Sequence, residues 1–291
     1  MGRRPGTYRS SFAIEELEVL THAGETVRLI LKDLAAPAAA ADAKPAALLD
    51  PAREAEVYLE ILAPWGLDAP ACRGAAVDPV DGRYWLLLEV VDGIPLWQTS
   101  DFTAWEAAAR WLGDMHSREA PGAAVHLLHY DAVYLQDRLA RAVALTPPGA
   151  LDLVAASWPQ VVERLGGWPS ALLHGDFYAS NLLVEATVRG ARVRPVDWDM
   201  AGVGPGLLDL AALISGQWTA AERLKLALAY DASWSPTDGR PHAADLLAAL
   251  EHARLVVAVQ WLGWSDGWTP PPERAQSWLA AALDAAARIG L

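Results

Sequence analysis

The sequence predicts an α+β fold of two lobes, a small β-rich lobe over residues 1–93 and a larger, mainly helical lobe over residues 94–291. Three observations lead there. Alternating apolar runs crowd the first third, helical periodicity sets in at Phe102, and a short strand hairpin bearing acidic residues interrupts the helical part between Ala171 and Val196. With 291 residues, 53% of them hydrophobic, the chain has enough apolar side chains to fill a sizeable core.

In chain order, Glu16 to Leu34 reads as a β-hairpin, with apolar runs Leu17–Leu20 and Val27–Leu31 around the turn signal His22-Ala23-Gly24-Glu25. Ala35 to Ala47 is rich in Ala and Pro and has little to bury, so it reads as a loose connection. Asp50 then offers an N-cap and Pro51 an N1 residue. Ala55, Val57, Tyr58, Ile61 and Leu62 supply the apolar stripe of a helix. Pro64 and Gly66 turn the chain, and Tyr84 to Val91 is a continuous β-prone run ending at Asp92-Gly93. Helical patterning follows, as in Ala104 to Met115. Ala171–His174, Asn181–Glu185 and Arg192–Val196 read as short strands, with Gly190 turning the last two.

The chain carries 36 acidic and 23 basic residues, a formal net charge of -13, which disfavours nucleic acid and anionic membrane surfaces and favours cationic small molecules. The lone Cys72 has no partner for a disulfide or a zinc cluster, which points to a reducing compartment. Glu15, Glu16 and Glu18 stand where a secretion signal needs an apolar core, and Leu255 to Trp264 is too short to cross a bilayer. A cytoplasmic location is expected.

The most specific segment is His174-Gly175-Asp176-Phe177-Tyr178-Ala179-Ser180-Asn181, followed by Asp197-Trp198-Asp199 and by Gly204-Pro205-Gly206-Leu207-Leu208-Asp209-Leu210-Ala211. This order, H-G-D-x-x-x-x-N, then an acidic pair after an apolar strand, then a Gly/Pro run ending D-L-A, resembles the aminoglycoside phosphotransferase and choline kinase superfamily, relatives of protein kinases. The resemblance implies a bilobal kinase-like fold and transfer of a phosphoryl group, a reaction that depends on positioning and on neutralising charge over the phosphate oxygens. It makes Asp176 the catalytic carboxylate that orients the acceptor hydroxyl and takes its proton. Asn181 and Asp197 become Mg²⁺ ligands, hard oxygen donors at the two ends of one hairpin, where strand pairing brings them together. His174, Asp199 and Asp209 become supports of the loop and of the metal site.

The resemblance also implies a nucleoside triphosphate, ATP or GTP, as donor. Lys32 then contacts its phosphates and Glu54 holds the lysine, whereas Glu56 points about 200° away on the helix. Glu89, Val90 and Val91 correspond to the segment that meets the base. No glycine-rich G-x-G-x-x-G loop exists, and Ser10 and Ser11 are the residues placed to cover the phosphates.

Between Asp197 and Asp209 there is no room for a long peptide-binding segment, so the acceptor is expected to be a small molecule with a hydroxyl. Trp218, Trp261, Trp264 and Trp268 are candidates to wall its pocket, with Glu251 and Asp266 to meet amines. His126, His129 and Asp131 read as packing or surface groups, not a metal site. The leading reading is an O-phosphotransferase for an aminoglycoside-like antibiotic or related sugar or amino compound. The alternatives are a metabolic kinase for choline, a sugar or an amino alcohol, a nucleotide-binding pseudokinase, and a metal-dependent hydrolase using His174, Asp176, Asp197 and Asp199.

Overall fold

A computed structural model describes every residue except 1, 7–11, 38–44, 46–47, 123, 189, 236–241 and 265–275. The alternating apolar runs of the first third form a five-stranded antiparallel sheet in the order β1-β2-β3-β5-β4. Its strands are β1 (Gly2–Pro5), β2 (Phe12–Leu20), β3 (Thr26–Pro37), β4 (Cys72–Asp78) and β5 (Arg83–Glu89). Register places Lys32 opposite Ile14 on one side and Leu86 on the other, so the lysine shares the buried face with Leu34, Leu86 and Leu88.

The predicted hairpin is longer than its apolar runs. Ala35 to Pro37, expected to be loose, continue β3, because Pro37 pairs with Phe12 across a bulge and backbone bonding holds what side-chain burial does not. The rest of the expected connection lies mostly outside the described residues. Strand β4 was not expected: Cys-Arg-Gly-Ala-Ala-Val-Asp lacks large apolar residues, as suits an edge strand with little to bury.

Helix α1 (Pro51–Glu56) begins as predicted, with the Asp50 carboxylate accepting the Ala52 N–H and Pro51 in the first turn. It continues as π-helical turns over Val57–Leu62 and as α2 (Ala63–Trp65), and ends at Gly66 in the left-handed conformation, φ 62°. Tyr58, Ile61 and Leu62 of this run join the core.

In the large lobe, helices α3 (Phe102–His116), α4 (Ala132–Leu145), α5 (Asp152–Gly166), α6 (Leu207–Leu213), α7 (Ala220–Ser233), α8 (Ala243–Leu262) and α9 (Trp278–Arg288) surround two small sheets. One sheet orders β10 (Gly190–Pro195), β9 (Leu182–Thr187) and β6 (Ile94–Pro95). The other orders β7 (Leu128–His129), β11 (Gly202–Pro205) and β8 (Ser170–Leu173). Every residue of α6 is buried, and α8 is buried continuously from Leu255 to Trp261, so these two helices form the lobe's centre. Asp131 caps α4 by accepting the Tyr134 N–H, and His126 meets Asp50. Among the described residues no helix is long and apolar enough to cross a membrane.

Candidate active site

Strand β8 delivers the chain to His174, and the loop that follows is suspended from within the lobe. Asp209, buried in the first turn of α6, accepts the backbone N–H groups of His174 at 2.6 Å and Gly175 at 2.9 Å. Gly175 has φ 78°, and a Cβ there would stand 2.0 Å from the Met200 carbonyl oxygen and 2.2 Å from the Tyr130 hydroxyl. Glycine is required on both counts. The Tyr130 hydroxyl donates to that same Met200 carbonyl at 2.7 Å, joining the end of β7 to the loop's underside.

The two nitrogens of His174 are set by their partners. Nδ1 accepts the Asp176 N–H at 3.3 Å while Nε2 lies 3.0 Å from the Val196 carbonyl oxygen, so Nε2 is the nitrogen placed to donate. His174 thereby ties the loop to the strand leading into Asp197. Asn181 ties the loop to itself, since its side-chain N–H₂ donates to the Asp176 carbonyl at 2.9 Å and to Asp176 Oδ2 at 2.7 Å.

The β9–β10 hairpin closes with Leu182 opposite Pro195, and the Val196 N–H donates to the Asn181 carbonyl at 2.9 Å, so Asn181 and Asp197 lie side by side at its open end. Asp197 has φ 69°, the sole positive φ of a non-glycine among the described residues. Asp tolerates this region better than most residues, yet it is populated only where the surroundings enforce it. Here they do. Lys32 Nζ stands 2.5 Å from both Asp197 Oδ1 and Glu54 Oε2, and Glu54 Oε1 accepts the Trp198 N–H at 3.3 Å.

Burial by itself would depress the Lys32 ammonium, but Asp197, Glu54 and Asp199 together outweigh it and hold the lysine above its ordinary range. Burial pushes Glu54 up to about 7; Lys32 opposes this, and the charges of Asp197 and Asp199 reinforce it. Asp197, with 16% of its side chain exposed, is the more open of the two acids on Lys32, against 1% for Glu54. Asn181 and Asp197 offer hard oxygens, and with the amide nitrogen committed to Asp176, Asn181 presents its carbonyl oxygen as the donor suited to a cation. Among the described residues no group of three His, Cys, Asp or Glu side chains could hold a metal by itself. The set fits Mg²⁺, which binds through one or two protein oxygens together with phosphate oxygens, not inside an all-protein cage.

Five residues expected at the site, Lys32, Glu54, Asp176, Asn181 and Asp197, therefore converge, with His174 and Asp209 beneath them. Asp199 is buried at the edge of the group, and its carbonyl accepts from Arg53 at 2.6 Å. Other expectations need correction. Glu89 is structural: its carboxylate accepts from Arg194 at 2.7 Å and from the Ala71 N–H at 3.0 Å, and its own N–H donates to the Ala71 carbonyl. Val91 is buried.

Trp261 and Trp264 pack with Trp278 in a buried aromatic stack instead of walling a pocket, because α8 runs through the lobe's centre. The Trp261 indole N–H donates to the Tyr178 hydroxyl, so this residue braces the 176–181 loop from behind. Trp218 packs edge-on against Phe102 and Trp105. Glu251 pairs with Arg254 at 2.5 Å and lies ten residues before Trp261 on α8, about 15 Å along the axis, which separates it from the loop. Ser10, Ser11, Asp266 and Trp268 lie outside the described residues.

Sequence reasoning missed Arg53 and Arg194, both buried arginines. Neither is set apart in the sequence: Arg53 directly precedes Glu54 on the short helix, and Arg194 follows Arg192 and Val193 in the strand Gly190–Pro195, so each looks like a solvated cation.

A family model described as the phosphotransferase enzyme family matches residues 15–247. Among solved structures, the chain is similar to a choline/ethanolamine kinase family protein from Mesorhizobium loti, with TM-score 0.62 and 18% identity over 95% of this chain and 88% of that one. A macrolide 2'-phosphotransferase from Brachybacterium faecium gives TM-score 0.55 and 20% identity over 99% and 92%. An aminoglycoside phosphotransferase from Streptomyces rimosus in complex with ADP and streptomycin gives 0.55 and 18% over 88% and 92%. No curated protein matches significantly by sequence. The match over most of the chain, on a kinase-like fold, establishes that the chain belongs to the phosphotransferase enzyme family and is a small-molecule phosphotransferase.

Proposed function

We propose that the protein moves the γ-phosphoryl group of ATP, or GTP, to a hydroxyl of an aminoglycoside-like antibiotic or a related amino or sugar compound. The observation that carries this reading is the convergence of Lys32, Asp176, Asn181 and Asp197. Lys32 is the cation for the donor's phosphates, kept in place by Glu54. Asn181 and Asp197 would hold Mg²⁺, which, when bound, screens charge over the phosphate oxygens. Asp176, oriented through Oδ2 by Asn181, accepts the acceptor's hydroxyl hydrogen bond and takes its proton as the new P–O bond forms and the bond to the leaving diphosphate breaks. With Glu89 committed to Arg194, the backbone beyond it as far as Val91 is the segment left to meet the base, and we place the lobe boundary at 93/94. The free thiol of Cys72 and use of a nucleoside triphosphate suit the cytoplasm.

The acid-rich composition suits a cationic acceptor, which choline and other amino alcohols also satisfy, so a metabolic kinase is the second reading. The test offers purified protein a panel of aminoglycosides, a macrolide, choline, ethanolamine and an aminopropanol with ATP and Mg²⁺, and follows products by phosphorus NMR. One acceptor should yield a phosphomonoester. Free phosphate alone would identify a hydrolase, and nucleotide binding without turnover a pseudokinase. Asp176→Asn should lower kcat by a factor of about 10² to 10⁴ while nucleotide affinity stays near wild type; unchanged turnover removes Asp176 from the reaction.

A further inference from the structure

Helix α1 follows the first strands in the chain and packs on their sheet, yet several of its polar side chains also reach the large lobe. Arg53, 3% exposed, donates from Nε to the His126 carbonyl at 2.7 Å and from Nη1 to the carbonyls of Leu48 at 2.8 Å and Asp199 at 2.6 Å. One turn later Glu56 accepts the backbone N–H groups of Val125 and His126, each at 3.0 Å. Asp50, at the head of the helix, meets His126 Nδ1 at 3.0 Å. The helix is thus bolted to residues 125–126 on one side and to the 197–199 turn on the other.

The second attachment bears on the chemistry. Neighbouring residues of α1 grip opposite polar groups of the same turn, Glu54 taking the Trp198 N–H and Arg53 giving to the Asp199 carbonyl. Fixing the amide that follows Asp197 and the carbonyl two residues on leaves Asp197 little choice but its left-handed conformation, in which Oδ1 meets Lys32. A planar guanidinium can satisfy three carbonyls in fixed directions; a lysine ammonium cannot replace that fork.

We propose that Arg53 is a positioning residue for the metal-binding turn, holding the Asp197 carboxylate on Lys32 and tying α1, which packs on the small-lobe sheet, to the large lobe. The functional half of this rests on the phosphotransfer reading above; the clamp itself does not. Asp197 is then set by α1 before donor arrives, with Lys32 held between it and Glu54.

Arg53→Lys keeps the charge and removes the fork. Titration calorimetry with ATP should show affinity in the presence of Mg²⁺ falling about 10- to 100-fold, the usual cost of losing a partner that orients a metal ligand, while affinity without metal changes little. Hydrogen exchange in the 197–200 segment should accelerate. A variant with a lower Tm but an unchanged ratio of affinities with and without Mg²⁺ would overturn the proposal. Should the variant not fold, exchange in the wild-type protein decides: the amides of 198–201 must exchange as slowly as those of α1, and fast exchange there overturns the clamp. A wild-type protein that binds no ATP would sink the reaction reading, while its exchange pattern still tests Arg53.

Discussion

Glu54 carries an electrostatic conflict at the scale of a single residue. It is needed beside Lys32, but burial together with the charges of Asp197 and Asp199 resists its ionisation, raising it to about 7. A carboxyl whose folded value lies above its unfolded value contributes stability that is fully present below the unfolded value of 4.5 and is lost as pH rises through the folded one. The protein without nucleotide should therefore lose stability between about pH 5 and 7 relative to Glu54→Gln, which has no proton to release. Thermal unfolding of both proteins across that range checks the sign, and parallel curves would remove Glu54 as the source. That Lys32, Asp176, Asn181 and Asp197 belong together was legible because each is a chemically distinctive residue in a recognisable order. Arg53 was not: an arginine in a short helix looks like any solvated cation until the chain folds three carbonyls around it.

At the scale of elements, the 174–181 loop has no regular structure beyond a short 3₁₀ turn at Ala179–Asn181, and is defined instead by what holds it. Asp209, His174, Asn181, Tyr130 and Trp261 reach it or the chain packed against it from α6, the loop itself, the end of β7 and α8. Gly175→Ala combines a disfavoured positive φ with contacts no Cβ can make. It should destabilise the protein by about 1–3 kcal/mol in urea unfolding and displace Asp176 enough to lower kcat severely. The same elements mark where periodicity was informative. The α1 cap and stripe and the β9–β10 hairpin follow from local pattern, whereas β4 and the extension of β3 depend on a neighbour's backbone and leave little trace in side-chain type. The tryptophans misled for a related reason: a large aromatic on a helix that is buried all round packs into core, and only the arrangement of the other helices reveals that.

For the molecule as a whole, two buried arginines join the lobes. Arg53 does so through α1, and Arg194 does so from β10 of the hairpin. Its guanidinium meets Glu89 at 2.7 Å and the Ala69 carbonyl at 2.9 Å, on the small lobe, and Glu185 at 3.2 Å on β9. Arg194→Met should cost about 3 kcal/mol, the lower end for breaking a buried pair, since Glu89 and Glu185 retain partial contact with water. Chemical denaturation read at two probes, one per lobe, tests it; a loss below about 0.5 kcal/mol would mean the lobes do not depend on this contact. The division into a β-rich and a helical part was readable from composition along the chain, but the joints were not, because each is made by residues from about seventy to nearly one hundred and fifty positions apart.

Asp209 reaches the loop from inside the helical core, through the main-chain amides of His174 and Gly175. The loop that carries Asp176 is consequently addressed from the rear. Descendants of such a scaffold are at liberty to redraw the front of the cleft for a new alcohol, residue by residue, without retuning the machinery that transfers phosphate to it.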